Sequence, residues 1–108
     1  KALEMAEATA RPWSRLGGVS QVATAAALRV PMLVVNGGRD YQATIADDLA
    51  RWRAGLRHRD DVTIREYPAG NHFFFPGDRP CTPEEYQQPH HVDDSVIAGI
   101  AGWIDGLD

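Results

Sequence analysis

The run Pro31-Met32-Leu33-Val34-Val35-Asn36-Gly37-Gly38-Arg39-Asp40 decides the fold class. Its apolar part is short, does not alternate with polar residues and ends at two glycines. Such a run is typical of a strand covered on both faces, as in a parallel sheet. We therefore predict an interior strand over residues 32–36, with Asp40 in the turn that follows it.

The next segments predict a strand–helix–strand crossover of the α/β class. Thr44 and Asp47 have the spacing of a capping box at a helix start. Four apolar residues then recur at helical spacing, namely Ile45, Leu49, Trp52 and Leu56. Alternation of apolar and polar residues over 62–67 predicts a second strand with one wetter face. The connection between parallel strands is right-handed, so we predict one βαβ unit.

The flanking sequence is helical or irregular. Residues 2–10 and 19–28 favour helix, and the last helix is predicted from about Val92 to Leu107. A long loop rich in proline, glycine and aromatic residues covers 68–91, with a capped single turn at Thr82-Pro83-Glu84-Glu85.

These segments predict a single partial domain over residues 1–108. It consists of a helical lead-in over 1–29 and of two parallel strands with helices over 30–108, three to four helices in all. Two strands cannot cover both faces and both edges of a sheet. We therefore expect the sheet to continue in sequence that the chain does not contain, and the absence of an initiator Met at Lys1 agrees with this expectation.

Composition narrows the classes of partner. The formal net charge of −4 argues against nucleic acid and against an anionic membrane surface, and no run of about 18 apolar residues exists to span a bilayer. No signal peptide is visible at the start. Cys81 is the only cysteine, which excludes an internal disulfide and a cysteine-based zinc cluster. We expect a cytoplasmic protein, because a single thiol suits a reducing compartment.

Two titratable residues follow the two predicted strands. Asp40 comes after the first strand and His72 after the second. Functional groups of open parallel sheets gather beyond the carboxyl ends of the strands, and neighbouring strands lie about 5 Å apart. The two side chains can therefore meet. An aspartate held against a histidine makes the imidazole a general base for a hydroxyl nucleophile.

The segment Val30–Leu107 resembles the carboxyl-terminal end of an α/β-hydrolase, closest to bacterial esterase-like members. The similar stretches are the strand and turn that end at Asp40, Tyr67-Pro68 leading to Asn71-His72, Thr82-Pro83-Glu84-Glu85-Tyr86, Pro89, His91-Val92-Asp93 and Ile104. The resemblance implies the last two strands of a larger sheet and a triad in the order Ser, Asp, His. Asp40 and His72 would fill its second and third places.

The resemblance implies hydrolysis of a carboxylic ester or a related acyl bond, with no cofactor and no metal. The nucleophile would lie in a missing amino-terminal half, because Gly18-Val19-Ser20-Gln21-Val22 lacks the second glycine and the preceding strand of a nucleophile elbow. The chain alone is therefore predicted to be inactive. Its expected partners are a small-molecule ester or acyl substrate, the missing half, and a second copy joined through an exposed strand edge.

Other interpretations stay open. The chain could be a complete, non-catalytic α/β binding or interaction module, and related enzymes use Asp or Cys as the nucleophile. Asp40 could be only a turn residue, and His72 a packed loop residue beside Phe73-Phe74-Phe75. We interpret these three aromatics as core and loop anchors. Arg39 is expected to be a solvated charge, and Asp93 or Asp94 to support a helix start rather than to bind a metal with His90-His91.

Overall fold

A computed structural model of the chain describes residues 20–107. The predicted helix over 2–10 lies outside the described residues. The elements follow one another as α1 (Gln21–Ala27), β1 (Met32–Gly37), a π-helical turn (Ile45–Leu49) that continues into α2 (Ala50–Leu56), β2 (Val62–Tyr67), a short 3-10 helix (Pro83–Gln87) and α3 (Asp94–Asp105). The described chain is thus an α/β fold with two parallel strands and three α-helices, as predicted.

The two strands form a parallel pair that ends level. The register runs from Met32 opposite Val62 to Gly37 opposite Tyr67. Because both strands end at the same rung, the turn after β1 and the loop after β2 leave the same edge of the sheet. Asp40 and His72 follow the two strands at this edge.

The start of the helix after β1 differs in one detail from the capping box that the sequence predicts. The Thr44 side chain accepts a hydrogen bond from the Asp47 N–H at 3.1 Å. The reciprocal bond, from the Thr44 N–H, goes to Asp48 and not to Asp47, at 3.0 Å. The helix opens as a π-turn, in which the Leu49 N–H reaches back five residues to the Thr44 carbonyl. In this wider turn the acid that accepts from the Thr44 N–H is the fourth residue after Thr44 and not the third.

Two other predicted helix starts differ from the prediction in detail. The last helix begins at Asp94, two residues later than predicted, and Asp93 caps it by accepting from the Ser95 N–H at 2.9 Å. Asp93 therefore supports the helix start as expected. The single turn after Thr82 exists as a 3-10 helix, but the Thr82 side chain makes no capping bond. The prediction of a capped turn is wrong in that respect, since only the Thr82 carbonyl takes part, through the Glu85 N–H.

The hydrophobic core of the described residues is small. Its buried apolar residues are Ala25, Leu49, Leu56 and Val96. On α3 the predicted apolar face is buried only in part, because Ile97 and Ile104 are each 54% exposed. No helix within residues 20–107 has the length and apolar character needed to cross a membrane.

Candidate active site

Asp40 is held at the carboxyl end of β1 by its own turn. The carboxylate is buried, with 5% of its side chain exposed. One oxygen, Oδ1, accepts hydrogen bonds from the backbone N–H groups of Gln42 and Ala43, at 2.8 and 2.9 Å. These two bonds fix the carboxylate so that the other oxygen, Oδ2, faces the loop after β2.

His72 lies in that loop and contacts Asp40 directly. Its Nδ1 stands 2.8 Å from Asp40 Oδ2. An ionised carboxylate can only accept, so Nδ1 carries the proton of this bond and the neutral ring keeps its lone pair on Nε2. The side chain is 39% exposed, and within residues 20–107 no group is hydrogen-bonded to Nε2. The structure thus brings together the two predicted site residues, and the imidazole stays partly exposed.

Two glycines allow the strand-end loops to approach so closely. A Cβ atom on Gly37 would stand 2.4 Å from the carbonyl oxygens of both Gly70 and Asn71, and one on Gly38 would stand 2.7 Å from Pro68 Cα. Backbone hydrogen bonds then tie the loops, since the Gly38 N–H donates to Tyr67 and the Arg39 N–H to Gly70. The Gly-Gly pair at the end of β1 therefore has a steric reason, because a larger residue at either position would collide with the loop after β2.

The loop that carries His72 is a tight turn built around Asn71. Asn71 is fully buried. Its Oδ1 accepts from the N–H groups of Phe73 and Phe75, at 2.9 and 3.0 Å. Phe74 adopts a positive φ of 63° within this turn, a conformation that is uncommon outside glycine. His72 thus lies within a turn that the Asn71 side chain closes, because Asn71 precedes His72 and bonds two residues that follow it.

An aromatic cluster lies beside the imidazole. The ring of Phe73 lies 5.5 Å from that of His72 and 5.1 Å from that of Tyr86. Phe73 is 53% exposed, so the prediction of a core anchor is wrong for this residue within the described chain, because the turn at Asn71 directs it outward beside His72. Phe75 is half-buried and stacks on His90 at 5.2 Å.

Arg39 is not the solvated charge that the sequence predicts. Its side chain is only 9% exposed and makes a bidentate pair with Glu85, at 2.8 and 3.0 Å. It also donates to three backbone carbonyl oxygens, those of Ala69, Phe75 and Arg79. The loop after β2 folds back over the turn after β1 and encloses the guanidinium, which accounts for the difference.

The Arg39–Glu85 pair has an electrostatic consequence. Hydrogen bonds from Arg39, and further ones from Asn71 and Cys81, lower the pKa of Glu85 to about 2. The hydrogen bond to Glu85 likewise raises the pKa of Arg39 above its usual value. Both groups are therefore charged at neutral pH, and Glu85 accepts its hydrogen bonds from Arg39 and Asn71 as a carboxylate.

Tyr86, the residue after Glu85, contacts the backbone of His72. Its hydroxyl accepts a hydrogen bond from the His72 N–H at 3.1 Å. Burial, aided by the neighbouring Cys81, raises the pKa of Tyr86 to about 12, so the phenol stays neutral. Within residues 20–107, no three His, Cys, Asp or Glu side chains form a group that could hold a metal ion.

A depression of about 680 Å³ opens beside Asp40, between the turn after β1 and the segment 77–81. Asp40, Tyr41, Ile45 and Cys81 are among its lining residues. Its lining mixes apolar and polar groups.

The chain is similar in sequence to a protein named as an esterase. The chain is 42% identical over 77 residues to Esterase EstD of Thermotoga maritima, a match that covers 71% of this chain and 18% of the relative. The chain therefore spans less than a fifth of the length of this esterase-like relative. No family model matches the chain, and no solved structure matches it.

Sequence reasoning found Asp40 and His72 but not the polar group formed by Arg39, Asn71 and Glu85. All three residues belong to stretches that carry the family resemblance, since Arg39 precedes Asp40, Asn71 precedes His72 and Glu85 lies in Thr82-Pro83-Glu84-Glu85-Tyr86. Nothing in the spacing connected Glu85 with Arg39, because the two are 46 residues apart and separated by an irregular loop.

Proposed function

We propose that this chain is the carboxyl-terminal part of an α/β-hydrolase that cleaves carboxylic esters, in which Asp40 and His72 are the acid and base of a Ser-Asp-His triad. The observation that carries the proposal is the 2.8 Å contact between His72 Nδ1 and Asp40 Oδ2. A carboxylate on Nδ1 leaves Nε2 as the basic nitrogen of the neutral ring, which is the orientation that a triad requires.

The chemistry follows from this orientation. Nε2 of His72 removes the proton of a serine hydroxyl as the serine oxygen attacks the acyl carbon of the ester. The protonated imidazole then gives that proton to the leaving alkoxide, and water repeats the sequence to release the acid and free the serine. The buried Asp40 stabilises the imidazolium and holds the ring while the proton moves.

The name of the relative supports an ester as the substrate class. Forty-two per cent identity over 77 residues to a protein named as an esterase, together with the strand–turn placement of Asp40 and His72, favours an ester-cleaving parent over a binding module. The serine, and the donors for the developing oxyanion, belong in this proposal to the rest of the protein.

The rest of the protein is also the proposed partner of the exposed surfaces. Within residues 20–107, β1 pairs only with β2, so its other edge carries unpaired backbone groups. Ile97 and Ile104 on α3 are largely exposed. A further strand beside β1 and further apolar packing on α3 would complete both surfaces, and without them the free edge would pair with a second copy.

The test is His72→Ala in the full-length protein, with His58→Ala as a matched control because His58 is an exposed histidine away from the site. We expect His72→Ala to lower turnover of a simple activated ester by at least about 10³-fold, with folding retained by circular dichroism, and His58→Ala to leave turnover unchanged. Retained hydrolysis in His72→Ala would reject the triad. The 108-residue chain alone should be inactive and larger than a monomer by light scattering; an active monomer would contradict both expectations.

A further inference from the structure

Glu85 is bonded to the chain neighbours of both members of the acid–base pair. Arg39, next to Asp40, makes two hydrogen bonds to the Glu85 carboxylate. Asn71, next to His72, donates from Nδ2 to Glu85 Oε2 at 2.6 Å. One carboxylate on the 3-10 helix therefore joins the turn after β1 to the loop after β2.

The Asn71 bond transmits this link to His72. Asn71 precedes His72 in the chain, and its Oδ1 accepts hydrogen bonds from the N–H groups of Phe73 and Phe75, which follow His72. The Asn71 amide therefore links the residues on both sides of His72. Any rotation of Asn71 that breaks its bond to Glu85 would also disturb the turn that presents the imidazole.

The 3-10 helix makes a second contact with the same loop. The Tyr86 hydroxyl accepts from the His72 N–H, and the Tyr86 ring packs against Phe73 at 5.1 Å. Tyr86 thus contacts the backbone of His72 directly, and Glu85 reaches the same loop through Asn71 and the turn after β1 through Arg39.

We infer that Glu85 is a positioning residue, which keeps the His72 imidazole against the Asp40 carboxylate through its bonds to Asn71 and Arg39. The catalytic consequence of this inference rests on the proposed function. The geometric part does not, because the Nδ1–Oδ2 contact can be followed in the absence of turnover.

The inference is tested with Glu85→Gln in the full-length protein. The glutamine keeps the size of the side chain but replaces one acceptor oxygen by an NH₂ group, so it removes the charge and loses at least one of the hydrogen bonds that the carboxylate accepts from Arg39 and Asn71. The control is Asp61→Asn, which neutralises a carboxylate in another bidentate pair, with Arg59, at 2.8 and 2.9 Å. Asp61 precedes β2 and lies at the opposite end of the strands.

The first measurement is the protonation of the His72 ring by ¹⁵N NMR at a pH where the ring is neutral. We expect the wild-type protein and Asp61→Asn to hold the proton on Nδ1, and Glu85→Gln to shift population toward the Nε2–H tautomer that a histidine side chain prefers when no acceptor holds its Nδ1–H. A purely structural role for Glu85 would lower stability without moving the tautomer.

The second measurement is steady-state ester hydrolysis, with functional sites counted by an irreversible serine-directed inhibitor. Per functional site, we expect Glu85→Gln to lower kcat by about 10–100-fold with KM changed less than about twofold, because a small misplacement of the base affects the chemical step. Asp61→Asn should keep the wild-type kcat. If Glu85→Gln does not fold, Arg39→Lys replaces it, since lysine keeps the charge but not the planar fork.

The outcomes separate the two ideas. A wild-type tautomer and a wild-type kcat in the Glu85 variant would overturn the positioning role, while His72→Ala stays inactive and the triad stands. Full hydrolysis by His72→Ala would reject the triad, and the tautomer measurement would still decide whether Glu85 sets the His72–Asp40 contact.

Discussion

The two ends of the β1–β2 pair each carry an arginine bound to a carboxylate, with the same chemistry and different connections. At the amino end, Arg59 binds Asp61 and donates to the carbonyl oxygens of Ala25 and Val30. At the carboxyl end, Arg39 binds Glu85 and donates to three loop carbonyls. Both arginines are less than a tenth exposed.

The difference lies in what each pair is attached to. The Arg59 pair ties the end of α1 and the start of β1 to the start of β2, so its bonds hold secondary structure together. The Arg39 pair adjoins Asp40 in the chain and reaches the loop of His72 through Asn71. An arginine–carboxylate pair is therefore not a sign of function by itself; its covalent neighbours decide what its loss would change.

The largest difference between the two ends is expected for Asp40→Asn and Asp61→Asn in the full-length protein. Asparagine at 40 keeps the shape but removes the charge that holds and stabilises the imidazolium, so we expect kcat for an activated ester to fall by about 10³–10⁴-fold. Asp61→Asn should lower the unfolding temperature and leave kcat per folded molecule unchanged. Equal losses of kcat in the two variants would remove the distinction between the ends.

The meeting of Asp40 and His72 could be predicted from the sequence because parallel strands impose it. A continuous apolar run and an alternating run, separated by one helix, fix two strand ends at a common edge. The residues that follow each run then leave the same edge of the sheet, and the loop contacts at that edge bring the two side chains together. Periodicity is a local property, so the strands over 32–36 and 62–67 and the helix between them can also be predicted from the sequence. The first strand extends one residue further in the structure, to Gly37.

The surroundings of the pair could not be predicted in this way. The burial of Arg39 depends on how the loop after β2 folds back, and that loop has no periodicity to read. The outward position of Phe73 depends on the turn at Asn71 and on the positive φ of Phe74. A positive φ is uncommon at residues other than glycine, so the sequence does not predict it at a phenylalanine. The π-turn, in which the Thr44 N–H bonds Asp48 and not Asp47, likewise has no signal in the spacing of the sequence.

The crowded carboxyl end of β1 differs from an open part of α3 in the space around its glycines. Alanine at Gly37 would bring its Cβ to 2.4 Å from two backbone carbonyl oxygens, whereas alanine at Gly102 on α3 would meet nothing within 4 Å. We expect Gly37→Ala to destabilise the protein by about 1–3 kcal/mol or more and to weaken the Asp40–His72 contact. Gly102→Ala should stabilise it by up to about 1 kcal/mol.

Urea unfolding of the two variants checks this expectation. If both alanines had the same small effect on the free energy of unfolding, the close approach of the strand-end loops would not be a requirement of the fold. A stabilising Gly37→Ala would contradict the contact of Gly37 with Gly70 and Asn71 directly.

The smallest expected difference between the ends is a dependence of stability on acid pH. Arg39 lowers the pKa of Glu85 from its ordinary 4.5 to about 2, so the unfolded chain binds a proton at Glu85 before the folded chain does. The stability due to this carboxylate is complete above pH about 4.5 and is lost as the pH falls toward about 2. Hydrogen bonding to Arg59 also lowers the pKa of Asp61, which adds a loss of the same sign at the amino end.

Because both ends lose stability in acid, only variants can assign the loss. Glu85→Gln should be less stable than the wild-type protein at pH 7, and the gap should narrow between pH about 4.5 and about 2, by at most about 1.4 kcal/mol per pH unit and by less at physiological salt. Urea unfolding at a series of pH values measures it. Asp61→Asn should narrow its own gap while leaving the His72 tautomer unchanged. A constant gap for Glu85→Gln across that range would mean that Arg39 does not hold Glu85 as a carboxylate, and the link from Arg39 to Asn71 would lose its charged centre.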